Sequence, residues 1–147
     1  MLERGNFSKA VELLSNARAV NPGNVRLSCA AAQAYIGLKR FGNALAILSP
    51  LAKRRGDDYL VQMLLGKALA GSGDNKQAEI RMKMAIRKAP ANVFAPRLEF
   101  AKFLVKTDIR RLDEAARVYE AARVAGAAPD VDLEPQLGAR LDERREV

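Results

Sequence analysis

Between Tyr59 and Asn92 the apolar positions fall into two runs with helical spacing. The first puts Leu65, Gly66 and Leu69 on one face, and the second puts Ala78, Met82 and Ala85 on another before Pro90. Gly71-Ser72-Gly73-Asp74 separates them, with glycines that supply the left-handed backbone of a tight reversal. The pattern predicts an antiparallel helix pair, about 58–70 and 76–88. The same spacing recurs on both sides. Ala78 has counterparts at Ala10, Ala44 and Ala115, at successive intervals of 34, 34 and 37 residues. Pro22, Gly56 and Pro90 each follow their alanine by 12 residues, and Pro129 follows Ala115 by 14.

Extended along the chain, the pattern predicts a helix from Phe7 to about Val20, with Phe7, Ala10, Val11, Leu14 and Ala17 on one face. Gly5-Asn6 before it reads as a turn. Further helices are predicted from Val25 to about Leu38 and from Phe41 to about Arg55. Pro50 lacks an N–H for the carbonyl of Ala46, so a kink between the two or an early helix end is expected. The next helix starts near Val93, with Pro96 in its first turn. A turn over about 106–111, some three residues longer than its counterparts, accounts for the 37-residue interval. A helix from Leu112 to about Ala125 ends at Gly126. Leu133, Leu137 and Leu141 mark a last helix with one apolar stripe.

The unit resembles the tetratricopeptide repeat, whose signature runs W-x2-L-G-x2-Y, then A-x3-F, then P over 34 residues. Leu65 and Gly66 stand at the L-G pair, Leu69 at the Y, Ala78 and Met82 at the A-x3-F pair, and Pro90 at the proline; Gln62 replaces the tryptophan. The resemblance covers about residues 1–129. It implies an all-α fold, an α-α superhelix of antiparallel helix pairs. Residues 1–24 form a half repeat with only its second helix, 25–58, 59–92 and 93–129 three full repeats, and 130–147 a C-terminal capping helix. Stacked repeats need such a cap, because the last one otherwise leaves an apolar face in water.

The half repeat raises a question of cover. Without a preceding helix its face exposes about four sizeable apolar groups, each worth roughly 1.5–3 kcal/mol when buried. Three arrangements answer it: the chain is part of a longer protein, a second copy covers Phe7, Val11 and Leu14 as a homo-oligomer, or the helix frays. The first is the expectation adopted.

Composition narrows the function. Apolar residues make up 49 % of the chain, but aromatics only 5 % with no tryptophan, so Ala, Leu, Val and Met fill the core. Cys29 is the only cysteine and histidine is absent, which excludes intramolecular disulfides, most zinc sites and imidazole-based catalysis. No phosphate-binding glycine loop is present, since GSGDNK lacks the P-loop pattern. No enzyme activity and no cofactor are expected. No run of 18 apolar residues and no signal-peptide core occur, so no membrane span is predicted and a soluble, cytoplasmic or periplasmic protein is expected. The Ala- and Arg-rich composition suits a bacterial source.

In the repeat family the first helices of successive units line a concave groove that grips a peptide or helix. Carried over by register, Arg26, Cys29, Gln33 and Ile36 would line it from the first full unit. Leu60, Met63, Lys67 and Ala70 would come from the second, and Phe94, Arg97, Ala101 and Leu104 from the third. Cys29, Gln33, Leu64, Phe94 and Leu98 occupy the positions of the family's carboxylate clamp, so that clamp is missing. The expected partner is a protein, offered as a peptide or amphipathic helix with apolar anchors and some acidic side chains. Each residue also has a plainer role: Leu60 and Phe94 as packing between repeats, Cys29 as a small buried hydrophobe.

The formal charge is +8, and residues 1–112 hold 20 of the 25 basic side chains but 8 of the 17 acidic ones. Lys53-Arg54-Arg55, the helix with Lys76, Arg81, Lys83, Arg87 and Lys88, and Arg110-Arg111 raise the alternative of nucleic-acid or anionic-surface binding. No aromatic residues interleave to stack bases, and several of these cations fall at helix C-termini, where the dipole favours them anyway. Nucleic acid is therefore the weaker expectation.

Overall fold

The computed structural model describes residues 4–145. It holds eight α-helices, with no strand among the described residues: α1 Arg4–Val20, α2 Val25–Gly37, α3 Phe41–Arg54, α4 Tyr59–Gly71, α5 Asn75–Lys88, α6 Ala95–Thr107, α7 Leu112–Val124 and α8 Leu133–Arg145. A 3₁₀ turn, Ile109–Arg111, fills the lengthened connection before α7. The chain forms two compact units, residues 1–85 and 86–147.

The helix ends repeat like the helix faces. Asn24 and Asp58, 34 residues apart, cap α2 and α4 by accepting hydrogen bonds from the N–H groups of Leu27 (3.1 Å) and Leu60 (3.0 Å). At the other end α2, α4 and α7 close with the same pair of backbone bonds. The Lys39 N–H reaches Ile36 and that of Arg40 reaches Tyr35; Gly73 and Asp74 repeat this with Ala70 and Leu69, and Gly126 and Ala127 with Arg123 and Ala122. This paired closure needs a left-handed residue just past the helix. Gly73 (φ 90°) and Gly126 (φ 111°) provide it, but in the first case Lys39 does (φ 58°).

In the first unit α2 packs against α1, α3 and α4, and α3 also packs against α4. Cys29, Ala32, Ala44, Leu48, Leu51, Val61, Leu64, Leu65 and Ala68 form one core cluster. Gly66 lets α4 approach α5: a Cβ there would lie 2.8 Å from Met82 Cγ and 3.3 Å from the Ala78 carbonyl oxygen. A second close approach occurs twice. The Phe7 ring of α1 lies over Gly37 of α2, within 2.4 Å of where a Cβ would stand. Phe41 of α3 does the same to Gly71 of α4, at 2.2 Å. The register continues to Asn75 and Val105, neither aromatic nor glycine, so the device has two copies.

In the second unit α6 packs on α7 and α8 packs on both. Phe100 and Phe103 stack with ring centroids 6.2 Å apart, and Leu133, Leu137 and Leu141 of α8 are all buried. Tyr119, also buried, donates to Glu134 Oε1 (2.6 Å) and accepts from the Asp130 N–H (3.0 Å), which fixes the start of α8 against α7. Asp130 in turn accepts from the N–H groups of Asp132 and Leu133. The salt bridges Arg140 to Asp113 and Arg145 to Glu120 tie α8 further along α7.

One local expectation is corrected, and of the two alternatives at Pro50 the early helix end is excluded. Gly5-Asn6 is not a turn, because α1 runs through both from Arg4; residues 1–3 lie outside the described residues. The helix does not end early at Pro50 but continues to Arg54. Pro50 is exposed, so its ring stands clear of the core.

Candidate protein-interaction surface

The first unit brings the first helices of two repeats side by side. α2 and α4 touch, and α3 packs against both. Arg26 and Gln33, seven residues apart and thus on one side of α2, are exposed. On α4, Leu60, Lys67 and Ala70 are half-buried. Two of the groove residues expected on these two helices are placed otherwise. Cys29 is only 3 % exposed and Met63 only 8 %, so both side chains belong to the interior rather than to a contact surface. Small neighbours explain this for Cys29: Ala31 and Ala32 are fully buried and let α2 sit close to its partners. Burial, with a smaller contribution from the Asp58 charge, pushes the Cys29 thiol up to about 11, so little thiolate exists at neutral pH.

Gln62 takes the position of the family's tryptophan and is fully buried. Its side-chain amide donates to the Gly56 carbonyl (3.0 Å) and its oxygen accepts from Arg81 Nη1 (3.2 Å). A large aromatic would fill this place by volume; glutamine fills it with a polar link from the preceding turn to α5. Sequence reading registers only the missing ring. Arg81, 19 residues away, is the signal that a buried amide has a partner.

In the second unit Phe94 is 37 % exposed at the start of α6, while Ala101 and Leu104 are buried. Arg97 lies in the first turn of α6 and lines a shallow cleft of about 530 Å³ with Ala91, Asn92, Ala121, Val124 and Ala125. Val124 is 88 % exposed there. Asn92 and Val124 escape sequence reading because nothing local marks the meeting of the start of α6 with the end of α7. On α1, Phe7, Val11 and Leu14 are half-buried, with the Phe7 ring over Gly37. Leu13 and Val20 are the large apolar side chains that α1 leaves in solvent.

The basic residues are partly neutralised in place. Lys83 pairs with Glu79 (2.9 Å), Arg110 with Asp108 (3.1 Å) and Arg111 with Glu114 (2.8 Å), while Arg81 is held by Gln62. The hydrogen bond from the Arg110 side chain, followed by that from its backbone, lowers the Asp108 carboxyl below its usual range. Among the described residues no group of His, Cys, Asp and Glu side chains is placed to hold a metal ion, and no helix is long and apolar enough to cross a membrane.

Paired helices with repeated caps, repeated closures and a repeated ring-on-glycine contact define an α-helical repeat array. Residues 1–68 match the family model described as tetratricopeptide repeat. Among solved structures the chain's fold is similar to MamA 41-end from Desulfovibrio magneticus RS-1. The two share 18 % identity and a TM-score of 0.66 over 82 % of this chain and 67 % of that one. It is also similar to MamA MSR-1 C2, at 21 % identity and a TM-score of 0.61 over 82 % of this chain and 68 % of that one. No curated protein matches the sequence.

Proposed function

We propose that the chain is a protein-interaction scaffold that holds a partner peptide or helix and performs no chemistry of its own. The observation that carries this is the contact between α2 and α4, the first helices of consecutive repeats, beside which Arg26 and Gln33 remain exposed. Leu60 and Lys67 on α4 add an apolar and a cationic contact, and an amphipathic segment with acidic side chains complements that mixture. Phe94 and Arg97 offer a similar pairing in the second unit.

A photo-crosslinking residue introduced at Gln33 tests the proposal, with Ser49 on the exposed side of α3 as control. Crosslinking to a partner from the native host is expected from position 33 and not from 49, and the double variant Arg26→Glu, Lys67→Glu is expected to reduce it. Equal yields from both positions, unaffected by the charge reversals, would reject this surface. Against the alternative of nucleic-acid binding stand the ion pairs at Lys83, Arg110 and Arg111. No retention of an oligonucleotide at low salt is expected.

A further inference from the structure

The cleft between the first turn of α6 and the last turn of α7 combines an apolar lining with one cation. Ala91, Ala121, Val124 and Ala125 line it as an apolar surface, and Arg97 and Asn92 supply its polar groups. Its volume is about 530 Å³, and it lies open to solvent, as a contact for a side chain or two of a partner segment would. Arg97 is half-buried and makes no hydrogen bond or ion pair with any described residue. The first turn of α6 has no acidic residue, and Phe94 before it provides no side-chain cap, so the positive end of the helix dipole adds to the guanidinium. Val124 keeps its side chain almost wholly in water.

We propose that this cleft is an anchoring subsite for a partner segment in which a carboxylate neighbours a branched aliphatic side chain. The carboxylate takes the two parallel N–H bonds that a guanidinium offers, with the Asn92 amide beside it, and the aliphatic group covers Val124 and the alanines. A foreign segment fits better than a second copy of the chain. Several carboxylates of this unit are already paired: Asp113 with Arg140, Glu114 with Arg111, Glu120 and Glu134 with Arg145, and Asp130 with Lys102. The net charge of +8 also opposes self-association. The proposal rests on the scaffold reading above and names the chemistry of one of its contacts.

A displayed library of random 12-residue peptides, selected on the intact chain, supplies the probes. Their affinities are then measured by fluorescence anisotropy against the wild type and against Arg97→Gln, Val124→Asp and Arg26→Gln. The selected peptides are expected to carry Asp or Glu next to Leu, Ile or Val. Because hydrogen bonds to charged groups contribute about 1.5–3 kcal/mol, Arg97→Gln should weaken binding by about tenfold to a hundredfold. Arg97→Lys should recover part of the loss, and circular dichroism should show all variants folded. Selected peptides without an acidic residue, or binding untouched by both Arg97→Gln and Val124→Asp but weakened by Arg26→Gln, would overturn the subsite and leave the scaffold reading standing. Selection of no binder at all would overturn both. Concentration-dependent self-association abolished by Val124→Asp would make the occupant a second copy and also overturn the proposal.

Discussion

Replacing Lys39 by glycine should stabilise the protein. Lys39 closes α2 with φ 58°, the left-handed backbone that Gly73 and Gly126 supply at the ends of α4 and α7. The hydrogen bonds around it match those around Gly73 in pattern, so the backbone accommodates glycine without rearrangement. A side chain in the left-handed region costs roughly 1–2 kcal/mol, because Cβ crowds the following carbonyl oxygen. Glycine removes that crowding, but its freer unfolded chain returns about 0.5–1 kcal/mol of the gain. Lys39 is exposed, so few packing contacts are lost with the side chain. The net expectation is a gain of about 0.5–1 kcal/mol, or an increase of a few degrees in midpoint temperature. Urea titration followed by circular dichroism measures it. Lys39→Ala separates backbone from charge: it keeps Cβ and should change little. Gly73→Ala makes the reverse change in the same unit and should cost about 1 kcal/mol or more. If Lys39→Gly were neutral while Gly73→Ala was costly, crowding at the left-handed residue would not be the governing term and the reasoning would fail.

Gln62→Leu should destabilise by about 1–3 kcal/mol, because the Gly56 carbonyl and the Arg81 guanidinium each lose a buried partner. A second change, Arg81→Met, should recover much of that loss, and an additive double-mutant cycle in denaturant titrations would refute the coupling. Gly71→Ala places a Cβ 2.2 Å from the Phe41 ring and should cost about 1–3 kcal/mol by overpacking, with the penalty largely gone in a Phe41→Ala background. Acid should loosen α8 before the rest of its unit. The hydrogen bond from Tyr119 holds the Glu134 carboxyl below its usual range, and the N–H of Leu133 does the same for Asp130. Both carboxyls thus contribute stability above their unfolded values of about 4, and that stability is lost as pH falls through the lower folded values. Burial raises the Tyr119 phenol, so its share is present below about pH 10 and lost as pH rises through the folded value. Amide hydrogen exchange across α8 between pH 6 and 3 reads the acid limb, and Glu134→Gln should flatten part of it.

The array was legible in the sequence because repeats impose a period on small core residues. Ala44, Ala78 and Ala115 are each fully buried, where a larger side chain would hold the helices apart. Local signals failed where packing outweighed them. Gly5-Asn6 has turn chemistry, yet both residues lie in the first turn of α1, whose Phe7 is seated on Gly37. Helix propensity is a weak preference that tertiary contacts override. The surface was read less well, for a geometric reason. Register gives the angle of a residue around its helix but not how deep that side lies, so Cys29 shared an angle with the exposed Arg26 and Gln33, and Met63 with the half-buried Leu60 and Lys67, and both proved buried. The cleft beside Arg97 depends on residues 91–97 meeting residues 121–125, a proximity that no periodicity encodes.

The ring-on-glycine contacts bear on how such an array can grow. Each phenylalanine comes from one repeat and its glycine from the next, Phe7 with Gly37 and Phe41 with Gly71. A gene segment copied whole carries a ring forward and a glycine back, so every new joint arrives with its fastening already made. The length between ring and glycine must then stay constant, whereas the turn inside a repeat is free to vary. The extra residues of this chain, at Ile109–Arg111, fall in such a turn.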